Sequence, residues 1–285
     1  MPSTPDIPFS PGRLTRPLLV LLVAIASGCG HAGNDGVTSR ALQFDKLPFR
    51  VVDIDLDRAR LELFWRNPDT GEAFGDIATL EAWGQRHQRR LLFATNAGIY
   101  DSARAPLGLF VENGTQLVAL NTTHGNPRHG NFSLLPNGVF AIDVDGHAGI
   151  YTTKRWKRAA VDARLATQSG PMLVIDGQLN PQFKRDSSSV KWRSGVCVRK
   201  GNDVVFAISQ SPVNFHTFAR LFRDRLGCRD ALYLDGTLSQ FHVDGENYGP
   251  PSFMVKPWAG MFGVFARDDG EVPHPPASAP SNASR

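Results

Sequence analysis

The chain has 285 residues, enough for one large domain or two small ones, and its 41% hydrophobic and 20% charged content is ordinary for a globular protein. The formal net charge is only +4, without a block of like charges, which argues against nucleic acid as a partner. The 27 Gly, 20 Pro and 18 Phe favour many turns, an aromatic core and β structure.

The N-terminal segment has the features of an export signal. Two arginines precede an apolar stretch, residues 17–27, that is too short to span a bilayer comfortably. The stretch ends in ASGC, which resembles the lipobox of a bacterial lipoprotein, with Ala26 where Leu is usual. We therefore expect residues 1–28 to be a lipoprotein signal peptide, Cys29 to be lipidated and residues 29–40 to be a tether. An ordinary secretory signal cut nearby is the alternative.

Either signal exports the protein. We expect it at the periplasmic face of a bacterial envelope, anchored through the lipid at Cys29, with the outer membrane favoured. Removal of residues 1–28, which hold two Arg and one Asp, leaves a net charge of +3.

The folded part is expected over residues 41–267, as a single domain. Alternation in FRVVDIDLDRARLELFW predicts a strand pair, DIATLEAWGQRH a helix, and RLLFATNAG a buried strand. LGLFVENGTQLVAL, PMLVIDGQL and GVCVRKGNDVVFAIS predict hairpins, and NFSLLPNGVFAIDVDGHAGIYTT further strands. NFHTFARLFRDRLG predicts the clearest helix, ending at Gly227, before the strands ALYL and GMFGVFAR. This order indicates an α+β fold with a large mixed or antiparallel sheet and a few helices.

The last segment, residues 268–285, is rich in Pro, Ser and Ala and is expected to be disordered. Cys197 and Cys228 lie near apolar runs, where they form a disulfide or remain buried free thiols. His124 and His129 lack an acidic or Cys partner nearby in sequence, so loop histidines are favoured over metal ligands. We expect no metal and no cofactor.

A local basic cluster surrounds Trp156. Two interpretations remain open, a solvated loop and a patch that faces phosphate. The cluster consists of Lys154, Arg155, Lys157 and Arg158.

Polar residues follow or precede several predicted buried strands, where functional sites tend to lie. Each has a glycine within two residues, and glycine permits a ligand to approach the backbone closely. The alternative for each is a turn cap, a common role of Asn and Asp. These residues are Asn96, Gln168, Ser169, Arg193 and Asp235.

Seven motifs occur in an order that resembles the phosphodiester glycosidase family, over residues 90–245. They are TNAGIYD, PLGLFVENG, GNFSLLPNGVF, ATQSGPMLVIDGQLNPQF, SGVCV, VNFHTFARLFRDRLGC and ALYLDGTLS. The resemblance is to the bacterial branch of the family, and it implies an enzyme that cleaves a glycosidic bond in a sugar phosphodiester of an envelope glycan. Its alternatives are a glycan-binding envelope lipoprotein without turnover and a structural envelope lipoprotein.

The resemblance also implies roles for the polar residues. Arg193 would hold the phosphate as a planar fork, and Asp235 would act at the anomeric carbon as general base, nucleophile or electrostatic partner. Both would then lie in one cleft. A second carboxylate, if needed, is Asp101, Glu112 or Asp176. Substrate-binding roles fall on Asn96, Gln168, Ser169, Gly236 and Ser239.

One motif departs from the family pattern. An animal member, which removes N-acetylglucosamine from a phosphodiester, has DGGGS where this chain has DGTLS. Thr237 and Leu238 thus replace two glycines, which crowds the pocket wall and argues for a different sugar substrate.

Overall fold

The computed structural model describes residues 35–123, 133–200 and 202–266. Three sheets account for the strands in these ranges, and every pair of named strands is antiparallel. Together with three short α-helices they confirm the predicted α+β class.

The sequence features expected at the two ends of the chain lie outside the described residues. These are the signal peptide 1–28, the lipidation site Cys29 and the tail 268–285; His124 and His129 also lie outside them. Among the residues that are described, no helix has the length and apolar character needed to cross a bilayer.

The seven-stranded sheet carries the strand on which Asp235 lies. Its spatial order is β1 (Val37–Phe44), β2 (Leu47–Asp55), β13 (Asp203–Ser209), β12 (Ser194–Val198), β14 (Ala231–Asp235), β10 (Met172–Ile175) and β11 (Gln178–Leu179). β1 begins four residues before the expected domain boundary at residue 41, because Val37 already pairs with Ile54 of β2.

Two five-stranded sheets complete the fold. The β4 sheet runs in the order β16 (Glu246–Tyr248), β15 (Phe241–Val243), β4 (Leu91–Asn96), β17 (Met261–Phe265) and β3 (Leu61–Phe64). The β9 sheet runs in the order β6 (Thr115–Val118), β5 (Phe110–Glu112), β9 (Ala163–Ser169), β7 (Gly138–Asp143) and β8 (Ala148–Thr152).

The core lies where these sheets meet, around Phe206 of β13. Its ring centroid is 5.0 Å from that of Phe93 in β4 and 5.3 Å from that of Phe262 in β17. Phe140 of β7 contributes a third ring at 6.5 Å. All four side chains are fully buried or nearly so. Burial of each is worth about 1.5–3 kcal/mol, so this aromatic cluster fixes the three sheets relative to one another.

Helix α1 (Ile77–Arg86) covers the β4 sheet as its apolar stripe predicts. The Asp76 carboxylate caps it by accepting from the backbone N–H of Thr79 at 2.7 Å. At Gly84 an added Cβ would stand 2.3 Å from the ring of Phe265, so only glycine permits this close approach of helix and strand.

The second predicted helix differs from expectation in its second half. α3 spans only Phe215–Arg220, capped by Asn214, and continues as a π-helical turn over Leu221–Arg225. Gly227, with φ of +71°, ends the segment as predicted. The remaining helix, α2 (Thr153–Ala159), carries the basic cluster.

Two further outcomes concern pairing. β2 and β3, predicted as a strand pair, belong to different sheets because β2 pairs with β1 and β13, whereas β3 pairs with β17. Cys197 of β12 and Cys228, just before β14, form a disulfide, so they are not free thiols.

Candidate active site

Asp235 ends β14 with its carboxylate held by two donors. The backbone N–H of Gly236 donates to Oδ1 at 2.6 Å, and Nδ2 of Asn96 donates to Oδ2 at 3.1 Å. Asp235 keeps partial solvent access, whereas Asn96 is fully buried. The carboxylate is thus fixed by a rigid partner while part of it faces outward.

Asn96 is the last residue of β4, the central strand of the β4 sheet. β4 lies between β15 and β17, and the Cα of Asn96 pairs with that of Met261. Its Oδ1 accepts from the hydroxyl of Thr95 at 3.3 Å, which leaves Nδ2 to point at Asp235. A buried amide with both ends engaged has one orientation, so the Asp235 contact is preset by the fold.

The environment makes Asp235 a weaker acid than usual. Burial raises the pKa of Asp235 from its ordinary 3.8 to about 6, against the opposing effects of the Gly236 N–H and the positive charge of Lys191. Protein atoms surround the carboxylate, although part of the residue remains accessible to solvent. A carboxylate with a pKa near 6 is suited to accept a proton near neutral pH.

Tyr100 is a neighbour of Asp235 that sequence reasoning missed. Burial, followed by the negative charge of Asp235, raises the pKa of Tyr100. Its hydroxyl is buried and has no hydrogen-bond partner within the described ranges. The hydroxyl therefore stays protonated as a donor close to the carboxylate. The available signal was its position inside the TNAGIYD motif.

Lys191 is the second missed residue. Its side chain is exposed, and its positive charge opposes the rise that burial causes in the pKa of Asp235. Its backbone is fixed by reciprocal hydrogen bonds with Val213, at 3.1 and 2.8 Å. Lys191 lies two residues before Arg193, which was singled out instead.

Arg193 is positioned differently from a substrate-facing cation. It is 1% exposed, and its Nε and Nη2 donate to the carbonyl oxygens of Val213 and Ser189 at 2.8 and 3.1 Å. Its guanidinium carbon lies 3.6 Å above the ring of Phe215. Burial lowers the pKa of Arg193, and neighbouring Tyr233 opposes that shift. Arg193 therefore anchors the segment that carries Lys191, while its Nη1 is buried without a hydrogen-bond partner among the described residues. No hydrogen bond or ion pair joins Arg193 to Asp235 in the described part of the chain, although the next residue, Ser194, pairs with Asp235 in the sheet.

The two serines and Gly236 lie around Asp235 and shape its loop. Ser169, at the end of β9, donates from Oγ to the carbonyl oxygen of Leu234 at 3.1 Å. The backbone N–H of Ser239 donates to the carbonyl of Gly236 at 2.9 Å, and its hydroxyl pairs with that of Ser194 at 2.8 Å. Both serines are fully buried, so in this state they hold the loop instead of offering free hydroxyls.

Gln168 directly precedes Ser169 in β9, and both the oxygen and the nitrogen of its side-chain amide are hydrogen-bonded. Oε1 accepts from the backbone N–H groups of Leu109 and Asn121, at 3.1 and 2.9 Å. Nε2 donates to the carbonyl of Asn121 at 2.8 Å and to Oγ1 of Thr153 at 3.2 Å. Gln168 thus ties two segments to the end of β9.

The three candidate second carboxylates separate by position. Asp176, in the β10–β11 turn, pairs with Arg155 and Arg229 at the end of β10 remote from Asp235. Glu112 ends β5, in which Val111 pairs with Ala166 of β9, three residues before Ser169. Burial raises the pKa of Glu112 to about 7; the Trp65 backbone opposes that shift and Glu62 adds to it. Asp101 follows Tyr100 directly and accepts from Ala103 and Ala105 N–H groups. Only Asp101 lies on the Asp235 side.

One group of described residues has the spacing of metal ligands. The ligand atoms of Asp143, Asp145 and His147 lie within 4.8 Å of one another in the β7–β8 turn. That turn is at the end of β7 opposite the Asp235 site, because Gly138 at the other end pairs with Ser169. Asp143 also accepts from the backbone N–H of His147 at 2.8 Å, so the group is explained as a turn.

Comparisons with known proteins identify the family of the chain. Residues 89–265 match the profile of the family described as phosphodiester glycosidase. The Escherichia coli K12 protein YigE is 37% identical over 205 residues, which cover 72% of this chain and 78% of YigE. The family match spans β4, β9 and β14, the three strands that build the site.

Two solved structures share the fold at low identity. The zebrafish N-acetylglucosamine-1-phosphodiester alpha-N-acetylglucosaminidase catalytic domain, auto-inhibited by its pro-peptide, has a TM-score of 0.57 at 14% identity, with 84% of this chain and 86% of that chain covered. A Synechocystis protein has a TM-score of 0.54 at 15% identity; the match covers 81% of this chain and spans 62% of that protein's length.

Proposed function

Because the chain belongs to the phosphodiester glycosidase family, we propose that it hydrolyses the glycosidic bond of a sugar phosphodiester. The observation that carries the proposal is the Asp235 carboxylate, partly accessible, fixed by Asn96 and Gly236, and raised in pKa to about 6. Such a group is equipped to act at an anomeric carbon near neutral pH.

The bond that breaks joins the anomeric carbon to the phosphate oxygen. The phosphate monoester leaves with the bonding electron pair and is stable as an anion, so it needs little help from an acid. Water attacks the anomeric carbon and gives its proton to Asp235, which later releases it to solvent. Asp235 acts in this proposal as general base, since one carboxylate of near-neutral pKa suits that role. Direct attack by water predicts inversion of the anomeric configuration.

The phosphate needs a cation, and Lys191 is placed to supply it. Its exposed ammonium acts electrostatically on Asp235 and is not paired in any salt bridge among the described residues. Arg193 supports it indirectly by fixing the segment on which it lies. The phosphate role expected for Arg193 therefore passes to Lys191 in this proposal, with Arg193 as a positioning residue.

The test is a panel of glycosyl phosphodiesters incubated with the purified protein, with released reducing sugar as the readout and Asp235→Asn as the control. Proton NMR of the first-formed sugar reports its configuration. Turnover that is absent for every compound, together with measurable binding, would replace the hydrolase by a glycan-binding protein. Turnover with retained configuration would keep the hydrolase and make Asp235 the nucleophile.

We further propose that the protein acts at the periplasmic face of the bacterial envelope, held by a lipid on Cys29, on an envelope glycan. The apolar stretch 17–27 before Cys29 and the disulfide between Cys197 and Cys228 support export, since disulfides persist in oxidising compartments. Labelling of cells with a radioactive fatty acid should mark the wild type and spare Cys29→Ser. A wild type found unlabelled in the soluble periplasmic fraction would contradict the anchor.

A further inference from the structure

A cavity of about 400 Å³ lies beside the Asp235 site, between the start of α2 and the segments 121–123 and 135–137. Its volume is within the range typical of small-molecule sites, roughly 300–1,000 Å³. Its lining includes Thr122, Thr123, Thr153 and Asn137, the apolar residues Leu135 and Pro136, and the two lysines Lys154 and Lys157.

The two lysines give the cavity a positive charge. Both are exposed, and neither takes part in a salt bridge within the described part of the chain. Arg155, between them, is by contrast paired with Asp176 and Asp230, on the other side of the helix. The described lining includes no carboxylate. Two uncompensated ammonium groups facing hydroxyls and amides are the donors that an anion such as phosphate requires.

The cavity is connected to the Asp235 site through the end of β9. Gln168 holds two residues of its wall, by hydrogen bonds to the backbone of Asn121 and to Oγ1 of Thr153. The next residue, Ser169, donates to the carbonyl of Leu234, directly before Asp235. Two consecutive residues at the end of β9 thus hold the cavity wall and the backbone that precedes Asp235.

We propose that this cavity binds a second phosphate-bearing sugar unit of the substrate. The substrate class is then a glycan with repeated phosphate groups, in which one phosphodiester is cleaved at Asp235 while a neighbouring phosphate contacts Lys154 and Lys157. The identity of the occupant as part of the substrate rests on the proposed function; the anion site itself rests on the cavity and its charges.

The experiment measures binding apart from turnover. Isothermal titration calorimetry of the full-length Asp235→Asn protein with glucose 6-phosphate, and with glucose, should show binding of the phosphate compound only. Joint replacement Lys154→Ala and Lys157→Ala should weaken that binding at least about tenfold. Arg158→Ala, which removes an exposed charge from the same helix, is the matched control and should change it little. Because all three side chains are exposed, the melting temperatures should stay the same.

Three results would overturn the proposal. Unchanged affinity in the double lysine variant excludes the cavity. An equal loss in Arg158→Ala reduces the effect to general charge. Loss of binding only in Lys191→Met places the anion at the Asp235 site instead. Lysine-dependent binding in a wild type without phosphodiester turnover would keep the anion site and reject the hydrolase, so the two failures are distinguishable.

Discussion

Nδ2 of Asn96 donates a hydrogen bond of 3.1 Å to the carboxylate of Asp235, 139 residues later in the chain. The two residues end strands of different sheets, β4 and β14, and meet only because the aromatic core around Phe206 fixes those sheets together. The position of the Asp235 carboxylate therefore depends on a contact that no local sequence pattern specifies.

Asp235→Asn should abolish turnover while keeping the fold. Loss of a general base commonly costs roughly 10²–10⁴ in rate. The neutral amide removes a buried charge, so the free energy of unfolding at pH 8 should equal or exceed that of the wild type. The measurements are turnover and thermal melting on the same preparations. A variant that melts far below the wild type yet turns over normally per folded molecule would make Asp235 a turn cap.

The stability contribution of Asp235 has a defined pH window. Between pH 3.8 and about 6 the folded state binds a proton that the unfolded state has already lost, so stability increases as the pH falls through about 6. Above that window the buried charge costs at most about 3 kcal/mol, because each pKa unit is worth about 1.4 kcal/mol and the side chain is partly accessible. Urea denaturation at pH 5 and pH 8 should show a larger benefit of Asp235→Asn at pH 8.

The acidic side of the pH profile of kcat/KM, its acid limb, should reflect the ionisation of Asp235. We expect the rate to rise with pH through about 6. Asn96→Ala removes a hydrogen bond to the carboxylate, so the limb should move to higher pH. Asn67→Ala, at another buried asparagine, should lower stability without moving the limb. If the acid limb of kcat/KM in Asn96→Ala stays at the wild-type pH, Asn96 does not influence the ionisation of Asp235.

Lys191→Met should raise KM for a phosphodiester by about tenfold and weaken the dependence of kcat/KM on salt. It should also raise the pKa of Asp235, because the opposing positive charge is lost. Lys184→Met, at an exposed lysine in the same connecting segment, serves as the control. Equal KM and equal salt dependence in the two variants would show that Lys191 does not bind the phosphate.

Arg193→Met should destabilise the protein by about 2–4 kcal/mol, because the carbonyls of Val213 and Ser189 lose a buried cationic donor. Chemical denaturation against the exposed control Arg185→Met measures this. KM should rise as well, since the Lys191 segment loosens. A variant with wild-type stability and severely reduced turnover would instead indicate that Arg193 binds the phosphate directly.

Much of the fold was predictable because local chemistry determines it. Asn113–Gly114 and Asp176–Gly177 adopt the positive φ angles that two-residue hairpin turns need, and both hairpins form as predicted. The polar residues at strand ends were predictable for the same reason, and Asn96, Ser169 and Asp235 do converge. Pairing between distant strands was not predictable, because alternation reveals which face is buried but not which neighbour is paired.

The site residues that sequence reasoning missed or placed differently share one cause. A charged side chain in a motif does not reveal whether its donors face a ligand or the backbone. Arg193 and Gln168 look like ligand-binding groups, yet Nε and Nη2 of Arg193 and Nε2 of Gln168 donate to oxygen atoms of the protein itself. Lys191 and Tyr100 act through proximity to Asp235, which only the assembled sheets create.

The order of strands in the β4 sheet has a consequence for the newly made chain. β4 reaches its final environment only when β17, the last described strand, pairs along it through Met261 and Asn96. The backbone N–H of Ala97 likewise donates to the carbonyl of Gly260, the residue directly before β17. A polypeptide that stops before β17 lacks the strand that pairs with Asn96, the partner of Asp235, so the proposed hydrolysis should require the complete strand. Chains truncated before β17 should therefore lack the proposed activity entirely, instead of retaining part of it.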